Sequence, residues 1–568
     1  MDIVLRDVKI PVRDGVQLSA DIFLPKSEGS FPAIFNMTPY GTDPESDVLR
    51  NSVLPYVEAG YAYVAVDVRG RYDSGGEWYA HPANERFDGS DVIDWISRQP
   101  WSDGKVATLG HSYSGWNQWP IGQECNPHHL AMMSSGSPTN LFVDWPNLDG
   151  VLSLQPIATW ALGMMYGRGN EAEAPEPKLS WKDALWHLPI SDLDELMAGR
   201  RISFWQDWLT RDKLDDDWQA LQMDGRYEKI QIPTFNVSGW YDARLKGQVN
   251  AYLKVKATSA IPDSHMLIIG PWLHSPMGTA PTFQMRDFGP QGNLDLPKLR
   301  IEWLDHIVKG APKPELDGVL YFLQGANEWR QAAQWPLQNT QFTDYYLDSG
   351  GSASTLHGDG ALGTKQPETC VCDQFAYDPS NPVPTNWSPT RAEGILPKEP
   401  QDNRGVEERE DVLVFSTSPL ADNLEVTGPV HATIYFSTDV VDTDITVKLL
   451  DVDPHGVAFQ LSYGIARARY RNSYEEPELL VPGEIYAVDI ELQPTSNLFL
   501  EGHSIRIEVS GSNFPFYARN LNTGANNCTT AEMKIANTRI WHGPEHPSRI
   551  VLPVASKGSS MLVNFPDQ

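Results

Sequence analysis

Val106-Ala107-Thr108-Leu109-Gly110-His111-Ser112-Tyr113-Ser114-Gly115 is the stretch that decides the reading of this chain. A short apolar run leads into a serine bracketed by glycines, and helix-compatible residues follow. That order predicts a strand that ends in a tight turn carrying a nucleophile. A serine hydroxyl is a weak nucleophile, and such a turn brings Oγ within reach of a base while backbone N–H groups face the developing oxyanion. Gly110 and Gly115 permit the turn and close packing behind it. The pattern departs by one residue from Gly-x-Ser-x-Gly, because Ser114 fills the second glycine position and the glycine follows it. Alone, a serine between glycines suits an ordinary loop equally well, so its partners decide the matter.

Outward from this turn, the first 145 residues alternate strand-like and helix-like segments. Phe31 to Met37, Tyr61 to Val68 and Lys105 to Leu109 are short and apolar, while Asp88 to Arg98 has helical spacing through Val92, Ile93 and Ile96. This is α/β order with a mostly parallel sheet. It resumes at about residue 231, where Ile232 to Val237 and His265 to Ile269 read as buried strands around a helical stretch from Leu245 to Val255, and Leu299 to Val308 reads as a further helix. Between the two portions, residues 146–230 turn helical and tryptophan-rich (Trp160, Trp181, Trp186, Trp205, Trp208, Trp218), as an inserted cap whose tryptophans mostly pack. Beyond about residue 346 helical periodicity fades. Val430 to Phe436, Ile445 to Val452, Val457 to Ile465, Ile485 to Leu492 and Ser504 to Val509 read as strands of an antiparallel sandwich, with Asp373 to Thr390 as a long connection into it. The expected division is therefore 1–145, 146–230, 231–345 and 346–568.

A length of 568 residues fits several domains with substantial cores. Asp and Glu outnumber Lys and Arg 74 to 44, a net charge of −30 that repels phosphate backbones and anionic membranes, so neither nucleic acid nor a membrane is an expected partner. Cys125, Cys370, Cys372 and Cys528 are too few to staple the chain and lack the spacing of a zinc site, so free thiols and no metal are expected. The N-terminus lacks a signal-peptide pattern, and a cytoplasmic location is the expectation. A homo-oligomer is left open.

In a parallel sheet, catalytic groups collect beyond the carboxyl ends of the strands. There the strand at 232–237 runs into Gly239-Trp240-Tyr241-Asp242, and the strand at 265–269 into Gly270-Pro271-Trp272-Leu273-His274. Ser112, Asp242, His274 is the α/β-hydrolase order, with room for a cap between serine and aspartate. Among 14 histidines, His274 is preferred for its strand-end place, and His111 should point elsewhere. The strand at 31–37 delivers Tyr40 to the same edge. Its phenol either donates to an oxyanion, together with the Tyr113 N–H, or merely walls the pocket.

Pro39-Tyr40, Asp67-Val68-Arg69-Gly70, the serine turn, Gly239-Trp240-Tyr241-Asp242 and Gly270-Pro271-Trp272-Leu273-His274 resemble the family that groups cocaine esterase, α-amino-acid ester hydrolases, glutaryl-cephalosporin acylases and X-Pro dipeptidyl-peptidases. Trp303-Leu304-Asp305-His306, Thr427-Gly428-Pro429-Val430, Leu450-Asp451-Val452 and Gly502-His503-Ser504-Ile505-Arg506 extend the resemblance over nearly the whole chain. It implies an α/β-hydrolase domain with an inserted helical cap and a C-terminal antiparallel β jelly roll of the galactose-binding-like type. It also implies Ser112 as nucleophile, His274 as base, Asp242 as its orienter, and an oxyanion hole from Tyr40 and Tyr113, with no cofactor. The displaced glycine is a feature of the family.

The expected activity is hydrolysis of small-molecule carboxylic esters or amides through an acyl-enzyme. Two and three positions after the triad aspartate, where the ester hydrolases hold a substrate ammonium with acidic residues, stand Arg244 and Leu245. This speaks against a cationic acyl group. Arg244 either pairs with an acyl carboxylate or meets a local acid or solvent. Trp116, Trp145, Trp160 and Trp240 either make an aromatic acyl site or belong to the core. Acids around Glu171, Glu173 and Glu176 keep X-Pro dipeptidyl-peptidase activity open as an alternative, and a glycan- or protein-binding protein with a degenerate hydrolase domain is the reading from another class.

Overall fold

The computed structural model describes residues 3–165, 176–316, 318–388, 395–556 and 558–565. The first of its two large sheets contains β1 (Ile3–Pro11), β2 (Gln17–Leu24), β3 (Phe31–Thr38), β4 (Ala62–Asp67), β5 (Ser102–His111) and β6 (His129–Ser135). A short hairpin follows, β7 (Asn147–Leu148) and β8 (Val151–Leu152), before the sheet resumes with β9 (Thr234–Tyr241), β10 (His265–Leu273), β11 (Val319–Leu323) and β12 (Glu328–Ala332). Spatial order is β1-β2-β4-β3-β5-β6-β9-β10-β11-β12. From β4 to β11 in that order every neighbouring pair is parallel, and both flanks are antiparallel. Strands β4, β9 and β11 are buried along their whole length, which is why they read as continuous apolar runs rather than as alternation.

Helices α1 (Asp47–Glu58), α2 (Glu85–Ser97), α3 (Tyr113–Trp116) and α4 (Gln118–Gly122) belong to the first half of this α/β unit. The cap contributes α5 (Leu154–Gly163), α6 (Trp181–Trp186), α7 (Leu193–Met197), α8 (Ser203–Thr210) and α9 (Asp216–Ala220). Trp205, Trp208 and Trp218 are buried in it, while Trp186 is exposed. After the cap come α10 (Leu245–Thr258) and α11 (Leu296–Lys309). Helix α11 shows its sequence logic at both ends. The Asp295 side chain accepts from the Lys298 N–H at 3.0 Å, Pro297 occupies the first turn, and Gly310 closes the helix at φ 74°.

The sequence does not announce β6. Its His129-Leu130-Ala131-Met132-Met133-Ser134-Ser135 lacks β-branched residues, and only its place between β5 and β9 makes it a strand. The cap, expected to be helical throughout, carries the two-residue strands β7 and β8.

Among the described residues thirteen strands form the second sheet network, and all but one short pairing within it are antiparallel. The five expected strands lie at His431–Thr438, Asp444–Val452, Ala458–Arg467, Tyr486–Glu491 and Ser504–Ser510. The stretch from Asp373 is not a plain connection, because Val371–Tyr377 is a strand paired with Ala536–His542. Its buried positions alternate through Asp373, Phe375 and Tyr377, and the acid that breaks the apolar pattern is taken up by Ser349 and His542. Residues 389–390 at the end of that stretch lie outside the described residues. The tail also returns to the first sheet, where Met561–Val563 pairs with β12. Among the described residues no helix is long and apolar enough to cross a membrane.

A buried ion pair ties the parts together. Lys246 at the start of α10 reaches Asp149, in the turn between β7 and β8, at 2.6 Å, and the Lys246 N–H donates to Gln493 of the C-terminal part at 3.0 Å. Removing one partner strands the other charge away from water. Lys246→Met is expected to destabilise the protein by about 3–5 kcal/mol, read as a lower denaturation midpoint, and an unchanged midpoint would show that the pair is not needed.

Candidate active site

Strands β5, β9 and β10 are parallel members of one sheet, so their carboxyl ends share an edge. Ser112 follows β5, Asp242 follows β9 and His274 follows β10. Ser112 sits at φ 60° and ψ −119°. Its N–H donates to the Ser135 carbonyl at 2.9 Å, and its own carbonyl accepts from Gly115 and Trp116 at 3.0 and 2.9 Å. The turn is thus fixed between β6 and α3. A Cβ on Gly110 would lie 1.9 Å from the Ser114 carbonyl oxygen, and one on Gly115 would lie 2.8 Å from that of Ser135. The close approach falls at residue 115, and this explains why Ser114 is tolerated where a glycine is usual.

The carboxylate of Asp242 can only accept, so His274 donates from Nδ1 to Asp242 Oδ1 at 2.9 Å. That tautomer leaves Nε2 to accept from Ser112 Oγ at 3.0 Å. Asp242 is fully buried. Burial alone would raise its pKa, but His274 and the Arg244 guanidinium and N–H outweigh it and hold the carboxyl at about 2. His111 does not point away from the site, since its ring centre lies 4.6 Å from that of His274. Burial lowers its pKa to about 3, so it is neutral.

Tyr40 is 42% exposed, with its hydroxyl end packed against the serine turn. Trp160 Nε1 donates to the Tyr40 oxygen at 3.3 Å, and the Ser112 side chain and Tyr113 N–H also engage that oxygen. Burial of the hydroxyl raises its pKa, so the proton stays available for donation. The Tyr113 side chain runs the other way, donating to Glu85 at 2.5 Å and accepting from the His81 N–H at 3.0 Å.

The substrate-binding candidates separate into two groups. Trp145, Trp160 and Arg244 share a wall: the Arg244 guanidinium stacks 3.6 Å from the Trp145 ring centre, and the Trp145 and Trp160 rings meet edge to face at 6.0 Å. Trp240 belongs to the core instead, because strand alternation turns it away. It is 3% exposed, and its Nε1 donates to the Phe322 carbonyl at 2.8 Å. Trp116 is likewise buried, packed behind His81 and Tyr113. A cavity of about 810 Å³ is lined by Tyr40, His111, Ser275, Met277 and Arg300 among others, next in sequence to Ser112 and His274 but without either side chain in its lining. Glu171 and Glu173 lie outside the described residues, and Glu176 is exposed. Among the described residues no group of three or more His, Cys, Asp or Glu side chains is placed to hold a metal ion.

Sequence reasoning missed His81, Glu85 and Tyr463. His81 stacks on Tyr113 at 4.2 Å, and Tyr463 reaches the surroundings of Asp242 and Arg244 from the second sheet. Glu85 reads in the sequence as an ordinary acid in the first turn of α2, where the dipole favours it. In the fold burial pushes its carboxyl up to about 8, against the hydrogen bond from Tyr113 that lowers it. The folded protein therefore keeps a proton that the unfolded chain releases at roughly pH 4.3, and stability falls between that pH and about 8. Glu85→Gln should flatten this part of the melting temperature profile between pH 5 and 8. Parallel wild-type and variant profiles would contradict the assignment.

Residues 14–276 match the X-Pro dipeptidyl-peptidase (S15) family, and residues 297–551 match the X-Pro dipeptidyl-peptidase C-terminal non-catalytic domain. The chain is 34% identical to the cocaine esterase of a Rhodococcus species over 98% of its own length and 99% of that protein. It is 28% identical to a putative serine esterase of Mycobacterium bovis, covering 96% and 94% of the two chains. Among solved structures, an aminopeptidase from a marine-sediment thaumarchaeote superimposes with a TM-score of 0.85 at 27% identity, and an α-amino-acid ester hydrolase with 0.85 at 26%. Each covers 97% of this chain and is itself covered to 96%. With a mostly parallel α/β sheet and a β-rich C-terminal part, and with relatives matched over nearly its full length, this chain belongs to the cocaine esterase and X-Pro dipeptidyl-peptidase family of α/β-hydrolase enzymes, which are serine hydrolases.

Proposed function

We propose that the chain is a carboxylic-ester hydrolase or acylase that works through an acyl-enzyme on Ser112. The observation that carries this reading is the continuous hydrogen-bonded order Ser112, His274, Asp242, with Tyr40 and the Tyr113 N–H beside Oγ. His274 takes the hydroxyl proton as Oγ attacks the carbonyl carbon, and the ionised Asp242 stabilises the imidazolium that forms. The carbonyl oxygen becomes an oxyanion, which accepts from Tyr40 and Tyr113. His274 then passes its proton to the departing alcohol oxygen or amine nitrogen as the acyl bond breaks. Water repeats the sequence on the acyl-enzyme and frees the acid. Each step uses groups of the chain and water.

The sides of the site follow from this proton transfer. A departing group must lie beside His274 to receive its proton, and the cavity bordered by Ser275 and Met277, the residues just after His274, is the space proposed for it. The acyl chain is left with the wall of Trp145, Trp160 and Arg244. An X-Pro dipeptidyl-peptidase requires an anion for the free N-terminus of its substrate, and a cation stands in this wall. The free thiols at Cys125, Cys370, Cys372 and Cys528 favour a cytoplasmic setting.

Ser112→Ala should lower turnover of an aryl ester by roughly 10⁴-fold or more and abolish labelling by a fluorophosphonate probe, while the wild type cleaves that ester faster than an X-Pro anilide. Near-normal turnover in the folded variant would refute the nucleophile. Tyr40→Phe should cost roughly 10²-fold or more in kcat. An unchanged kcat would reduce Tyr40 to a wall residue.

A further inference from the structure

Arg244 is 4% exposed, and its Nη1 is buried without a hydrogen-bond partner. Among the described residues it forms no salt bridge. Its own N–H donates to Asp242 Oδ1 at 3.0 Å, the oxygen that also accepts from His274, and the Asp242 charge acts on its guanidinium without forming a salt bridge to it. One face of the guanidinium lies over the Trp145 ring at 3.6 Å. Stacking uses the face of a guanidinium and leaves its N–H edge for a planar acceptor. Arg244 lies within electrostatic reach of Tyr40, Tyr463 and His81. From Trp145 the wall continues through Trp160 to the Tyr40 hydroxyl and Ser112.

A buried cation without a salt bridge is costly to keep, and burial lowers the pKa of this guanidinium, an effect that the nearby Asp242 charge offsets only in part. His81 adds a second group of the same kind. It is 1% exposed, both ring nitrogens lack a partner, and it stacks 5.9 Å from Trp160. Burial lowers its pKa to about 3, so it offers a neutral N–H. An aromatic wall with two unmatched buried donors suits an acyl chain that is apolar along its length and anionic at its end. The surface charge of −30 repels such a molecule at a distance, but screening limits that effect to roughly 8–10 Å.

We infer that Arg244, backed by Trp145, binds a carboxylate at the far end of the acyl chain, so that the substrates are monoesters or monoamides of dicarboxylic acids. This rests on the acyl-enzyme reading above. The bidentate fit of guanidinium to carboxylate fixes the chain end while Ser112 attacks the ester carbonyl at the other.

The test compares 4-nitrophenyl hydrogen glutarate with the neutral 4-nitrophenyl methyl glutarate, both followed by nitrophenol release. In the wild type kcat/KM should favour the acid by about tenfold or more. The ratio should fall to one or below in Arg244→Met and be partly restored in Arg244→Lys. Using the ratio within each variant cancels general damage. As a measurement that needs no variant, free glutarate should inhibit wild-type turnover of the neutral ester competitively, and glutaramide should not. Equal wild-type rates for the two esters, or a preference that survives in Arg244→Met, would overturn the inference and leave the hydrolase standing. Failure to cleave either ester, together with no fluorophosphonate labelling, would instead remove the acyl-enzyme reading and the inference with it.

Discussion

A serine at φ 60° and ψ −119° occupies backbone space that strains an L-residue by about 1–3 kcal/mol. Opposing contacts hold it there. The Ser112 N–H is anchored to Ser135 on β6, its carbonyl caps the first turn of α3, and the chain before and after it presses on neighbours at Gly110 and Gly115. The strain has a geometric return. With its N–H turned to β6, Ser112 leaves the next N–H, on Tyr113, to face the Tyr40 hydroxyl and the Oγ surroundings. The proposed nucleophile and oxyanion donors are therefore set by one backbone twist, and β6, poor in strand-forming residues, is needed because it supplies the anchoring carbonyl.

Around that twist, burial sorts which groups carry charge. His111 and His81 are pushed neutral, while Asp242, equally buried, stays ionised because His274 and Arg244 face it. A protonated His111 with its ring centre 4.6 Å from that of His274 would oppose formation of an imidazolium. Its burial removes that opposition. The Glu85 carboxyl, protonated at neutral pH, anchors the Tyr113 ring without adding a negative charge behind the oxyanion position.

Much of this was readable from residues because local pattern and function coincide at strand ends. The buried runs of β4 and β9 and the three residues that follow β5, β9 and β10 declare themselves by apolar continuity and punctuation. What escaped the sequence depends on facing. Trp240 and Tyr241 are neighbours, and only the sheet register sends Trp240 toward β11. Glu85 and His81 acquire their environment from Tyr113, about thirty residues away. The strand at Val371–Tyr377 hid because its buried Asp373 is matched by His542 from another strand, a pairing without local signature.

The β-rich C-terminal part takes part in the site through the segment after the triad aspartate. Ala243 packs with Leu148 and Val151 of the β7–β8 hairpin and with Tyr463, Ile465, Phe516 and Tyr517 of the second sheet. One residue past Arg244, Leu245 opens α10, and Lys246 is held by Gln493 and Asp149. Asp242 is fixed from below by β9, but Arg244 is fixed from three directions, two of which lie outside the α/β sheet. The proposed nucleophile and base therefore follow strands of the sheet, whereas the proposed acyl wall lies where sheet, cap hairpin and C-terminal part meet. On the proposed reading, changes in the C-terminal part alter which acyl group is accepted without touching Ser112, His274 or Asp242, a physical route to different substrates on one catalytic frame.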